Sequence, residues 1–123
     1  MNRSLEKGEV MAVGVEMTMP KVTAKQYEQL NREIFGHYPM KEGDAPTGLI
    51  VHSAGPVPTG WQVYDVWETK ADFERFGKER IAPVLQQVTG LGFGDLKPTF
   101  VQIHNLLPPA TTRRGNGKRR VTA

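Results

Sequence analysis

Apolar residues at 10–17, VMAVGVEM, follow a period of two, with Met11, Val13, Val15 and Met17 on one side, which predicts a strand ending by Pro20. Thr23 then precedes Tyr27, Leu30 and Ile34, spaced as the buried stripe of a helix. Gln26 completes a capping box with Thr23, and Gly36 closes the helix. The turn-rich HYPMKEGDAPTG leads to a second, largely apolar strand, GLIVHSAG. A short loop spanning residues 55–60 joins it to WQVYDVWE at 61–68, whose β-branched and aromatic content predicts a third strand. Thr69 caps a second helix with Asp72 at its third position and Phe73 and Phe76 on one face. Pro83 interrupts that helix and opens a further helical piece, which buries Val84, Leu85 and Val88 before Gly90. TFVQIHNL at 99–106 supplies the last strand.

The order is β-α-β-β-α-β, an α+β arrangement with both helices on one face of a four-stranded antiparallel sheet. Taking residues 55–60 as the whole hairpin loop pairs Ala54 with Trp61, His52 with Val63 and Ile50 with Asp65. One face then carries Ile50, His52, Ala54, Trp61, Val63, Asp65 and Trp67, and the other Leu49, Val51, Ser53, Gln62, Tyr64 and Val66. A one-residue slip would invert these assignments. Both faces are substantially apolar, so the helix-free face is expected to be covered by a second copy of the chain in a homodimer.

Composition narrows the function classes. The 123 residues include no cysteine, which removes disulfides, thiolate nucleophiles and cysteine-based metal sites. The net charge of +3 suggests an acidic polymer as partner until the chain is divided. Residues 108–123 hold five Lys and Arg and no acid, leaving eleven basic and thirteen acidic residues elsewhere, a balance of −2. The expected organisation is therefore a flexible N-terminus at 1–8, a folded domain at 9–107 and a disordered basic tail at 108–123. That tail has no aromatic residue for base stacking, so nucleic acid is not expected as a partner. Without an apolar run of membrane-spanning length or a signal-peptide core, a cytoplasmic protein with no membrane contact is expected.

VYDVWETKADFERF at 63–76, with weaker support from GLIVHSAGPVPTGW and VQIHNLL, resembles the dimeric α/β-barrel superfamily, whose ferredoxin-like subunits pack sheet against sheet. The resemblance is to its antibiotic-biosynthesis-monooxygenase-like and uncharacterised small members and covers residues 9–107. It implies a ligand cavity between the sheet and its own helices, with Trp67 directed into it. It also implies a choice of activities: cofactor-independent monooxygenase, isomerase, haem-degrading enzyme, or noncatalytic stress-related dimer. Haem degradation looks to need an Asn on the first strand, a Trp ending the third and a His on the second helix; only Trp67 matches.

On the cavity side, His52 and Asp65 are the candidate catalytic pair. The carboxylate would polarise the imidazole and let it take an acidic proton from an aromatic or other apolar ligand. Trp61 and Trp67 would hold the ring, and His104 or Asn105, on opposite sides of the last strand, would bind an oxygen. The alternative is that these side chains pair and pack as ordinary structure in a ligand-binding protein. His37 and Tyr38 follow the first helix as a candidate lid, and Gly90, Gly92 and Gly94 are expected to form a connection, not a phosphate cradle. The three His lack metal-ligand spacing, so neither a metal nor another cofactor is expected.

Overall fold

The computed structural model describes residues 12–108. The expected N-terminal segment at 1–8 and, apart from residue 108, the expected tail at 108–123 lie outside these residues. Strand β1 (Val13–Pro20) is followed by helix α1 (Ala24–Phe35), strands β2 (Leu49–Val57) and β3 (Gly60–Trp67), helices α2 (Lys70–Phe76) and α3 (Ala82–Thr89), and strand β4 (Thr99–Gln102). The sheet is antiparallel, in the order β2-β3-β1-β4. Among the described residues no helix is long and apolar enough to cross a membrane.

The caps form as the side chains dictate. Thr23 Oγ1 accepts from the Gln26 N–H while Gln26 Oε1 accepts from the Thr23 N–H, and Gly36 ends α1 in the left-handed region. Thr69 Oγ1 likewise accepts from the Asp72 N–H at the start of α2. The chain does not break at Pro83. One wide π turn, Gly77–Ile81, joins α2 to α3, and Pro83 falls in the first turn of α3, where a missing N–H costs least.

The hairpin differs from the sequence expectation. Val57 pairs with Gly60 across a two-residue turn, so Gly55 and Pro56 belong to β2. Pro56 is tolerated because β2 is an edge strand. Gly60 has φ +156° and packs so close to β1 that a Cβ would run into the Met19 carbonyl. The tighter turn shifts the pairing by two residues: His52 faces Asp65, Ala54 faces Val63 and Pro56 faces Trp61. A two-residue shift preserves face identity, which keeps His52, Trp61, Val63, Asp65 and Trp67 together. A bulge between Leu49 and Val51 then exchanges two residues. Leu49 turns to the helices, and Ile50, expected there, joins Ala12 and Val66 in a small apolar cluster on the other side.

Helices α1, α2 and α3 bury Tyr27, Leu30, Phe73 and Leu85 against Val15, Met17, Met19, Val63 and Trp67 of the sheet. The helix-free face is mixed. Tyr64 and Val101 are exposed there beside the Ala12, Ile50 and Val66 cluster, whereas Glu16 and Gln62 bond each other at 2.6 Å toward the other end.

Candidate functional site

Between α1 and the β2–β3 hairpin lies a cavity of about 80 Å³, several times what one water molecule requires. Its wall is apolar, with Met17, Leu30, Ile34, Leu49 and Phe76 among its lining, apart from one polar corner made by Tyr27, Asn31, His52, Asp65 and Trp67. None of the lining residues is Lys or Arg.

The polar corner is a chain of hydrogen bonds. Asp65 is 5% exposed, and both of its carboxylate oxygens are engaged: Oδ1 lies 2.7 Å from His52 Nδ1, and Oδ2 accepts from Trp67 Nε1 at 3.1 Å. An ionised carboxylate only accepts, so its bond to His52 places the ring proton on Nδ1. On a neutral ring Nε2 is then an acceptor, and the Tyr27 hydroxyl lies 2.6 Å from it. His52 is thus held from both sides, and Tyr27, not the imidazole, is the outer member of the chain. Burial pushes the Tyr27 hydroxyl above its usual pKa of 10.0; a hydrogen bond with the Asn31 side chain opposes the rise, the nearby Tyr38 and Asp65 add to it, and Tyr27 is neutral at physiological pH.

Local sequence explains how these groups meet. His52 and Asp65 are cross-strand partners on the helix side of an antiparallel pair, where opposed side chains approach most closely. Asp65 and Trp67 are two apart on the same strand face. Tyr27 reaches them from the buried stripe of α1, stacked on Trp61 at 5.3 Å between ring centroids. Asn31, one turn further along α1, donates from Nδ2 to the Tyr27 carbonyl at 3.1 Å. Among the described residues no group donates to its buried Oδ1.

No protein-family profile, curated protein or solved structure matches the chain.

The candidate residues named from sequence divide into two groups. His52, Asp65 and Trp67 come together at the cavity, and Trp61 packs behind Tyr27 without lining it. His104 and Asn105 lie beyond the end of β4, exposed and away from the cavity lining. His37 pairs instead with Asp44 at 3.0 Å in the α1–β2 loop, while Tyr38 meets Tyr27 edge-on at 6.2 Å and Met40 of the same loop closes part of the wall. Gly90 ends α3 in the left-handed region, and the Gly92 N–H bonds Asp95 in a short turn, so this glycine stretch is a connection. No cluster of three or more metal-ligating side chains occurs among the described residues.

Tyr27 and Asn31 were missed as site residues. Tyr27 carries no local signal, since a Tyr in an apolar stripe reads as core. Asn31 carries one: it interrupts the stripe of Tyr27, Leu30 and Ile34 with an amide that must find partners once buried.

Proposed function

We propose that this chain binds a small, largely apolar or aromatic molecule between its sheet and helices, and that Tyr27, His52 and Asp65 take a proton from it in cofactor-independent chemistry. The observation that carries this reading is the single polar corner in an otherwise apolar cavity, built as an oriented carboxylate–imidazole–phenol chain. In the step it supports, an O–H or C–H bond of the ligand breaks and its proton goes to Tyr27 Oη. The Tyr27 proton moves to His52 Nε2, and the bonding electron pair stays on the ligand. The imidazolium so formed is stabilised by Asp65. The resulting anion is the species that reacts with dioxygen in a cofactor-independent monooxygenase, or is reprotonated elsewhere in an isomerase.

The strand order, with α1 between β1 and β2 and with α2 and α3 running on through the π turn between β3 and β4, supports a ferredoxin-like subunit of the dimeric α/β-barrel kind. Exposed Tyr64 and Val101 on the helix-free face support pairing of two copies there. Light scattering is expected to give twice the 13.7 kDa chain mass, and a monomer at micromolar concentration would end the dimer reading.

One observation favours a noncatalytic binding protein as the second reading: the Tyr27 hydroxyl already occupies His52 Nε2, as in a satisfied structural network. A thermal-shift screen of neutral aromatic compounds tests the site itself. Ligands are expected to raise the melting temperature of the native chain and to lose this effect in Ile34→Trp, which fills the cavity. A screen without stabilising compounds would reject both readings. Given a turnover assay, a folded His52→Ala protein with full activity would leave only binding.

A further inference from the structure

The cavity in its closed form is smaller than an aromatic ligand needs. Its volume is about 80 Å³, whereas an apolar cavity that takes up benzene measures about 150 Å³. A ring therefore enters only where part of the wall gives way. Strands and helices resist this, because their side chains are close-packed against several neighbours. Met40 is differently placed. Every other residue of the lining belongs to a strand, a helix, the π turn or the short 3-10 turn Phe93–Leu96, while Met40 stands half-buried on the α1–β2 loop. Three bonds tie that loop to itself: His37 Nε2 pairs with the Asp44 carboxylate at 3.0 Å, the Lys41 N–H donates to the same oxygen at 2.7 Å, and the Asp44 N–H donates to the Lys41 carbonyl at 2.9 Å. All three survive when the loop moves as a unit. The Met side chain is itself adaptable, being unbranched with three rotatable bonds.

Resting on the binding role proposed above, we infer that Met40 is the gate of the cavity and sets the size of what it holds: it occupies the place of part of the ligand, and a one-ring molecule enters by displacing it. Molecules of two fused rings are excluded, since the rest of the wall, with Met17, Met19, Leu30, Ile34 and Trp67, is fixed on packed elements. Moving the loop also lifts Tyr38 from the edge of Tyr27 and opens the outer member of the relay to the arriving ligand.

The test uses toluene and naphthalene, neutral probes of one and two rings, with the purified full chain. Their dissociation constants are measured in the native protein and in Met40→Ala. Comparing the naphthalene-to-toluene ratio between the two proteins cancels the different hydration of the probes. That ratio is expected to fall at least about tenfold in Met40→Ala, the effect of freeing a methylene-sized space or more in an apolar pocket. A second measurement needs no substitution: the Met methyl resonances of the native protein are followed with a soluble paramagnetic probe. Toluene is expected to expose the Met40 methyl to that probe and to leave Met17 and Met19, which line the same cavity from β1, as shielded as before. An unchanged ratio, or a Met40 methyl equally shielded with and without toluene, would overturn the inference while leaving the site in place. Binding of neither probe to either protein would remove the site reading with it.

Discussion

Two His–Asp pairs occupy different regions of the molecule, and their surroundings make them different devices. His37 and Asp44 meet at 3.0 Å on the α1–β2 loop, where His37 also contacts the Pro39 carbonyl and both side chains are open to solvent. His52 and Asp65 meet at 2.7 Å across two strands under α1, with Trp67 on the far carboxylate oxygen and Tyr27 on the far ring nitrogen. In the loop, water competes for every group and screens the pair. Beneath the helix the Asp65 side chain is only 7% exposed, so its carboxylate depends on protein partners even though the His52 side chain keeps 25% exposure. The pair's chemistry is set by what lies around it.

Replacing Asp65 tests that contrast most severely. Asp65→Ala strands the His52 ring N–H and the Trp67 indole N–H in the core and is expected to cost about 3 kcal/mol in urea unfolding. A loss no larger than that of an exposed substitution would break the comparison. Tyr27→Phe should cost less, about 1 kcal/mol, since it removes one hydrogen bond and keeps the ring stack. It should also change the alkaline profile. Because the folded-state pKa of Tyr27 is raised, its contribution is full below the unfolded value near 10 and is lost as pH rises toward the higher folded value. Stability of the native chain should therefore fall above pH 10 more steeply than that of Tyr27→Phe, and parallel curves would contradict it.

Asp44→Ala is expected to have the smallest effect, leaving the melting temperature nearly unchanged at neutral pH. The Lys41 backbone N–H, with His37, holds the Asp44 carboxyl below its usual 3.8. Its small contribution is therefore present above that value and disappears as pH falls through the lower folded one. A melting temperature lowered as far as in Asp65→Ala would erase the distinction between the two pairs.

The same contrast separates what the sequence makes legible from what it does not. The caps at Thr23 and Thr69 are local, and both helices begin where those side chains demand. His52, Asp65 and Trp67 could be placed on one face because strand parity survives a two-residue error in pairing. Leu49 and Ile50 could not, since a bulge shifts parity and leaves no mark in a uniformly apolar run. Tyr27 joins the relay only through the packing of α1 across β2 and β3, a contact between residues twenty-five positions apart. His37 looked like a lid residue because Asp44, its partner, lies seven residues on in a loop without periodicity to align them.

The most direct measurement of the account is the nitrogen spectrum of the His52 ring, native and Tyr27→Phe, at neutral pH. The relay predicts a proton on Nδ1, held by Asp65, and an unprotonated Nε2 whose resonance moves when the Tyr27 hydroxyl is removed. A proton on Nε2 with Nδ1 bare, or an Nε2 resonance indifferent to Tyr27→Phe, would contradict it.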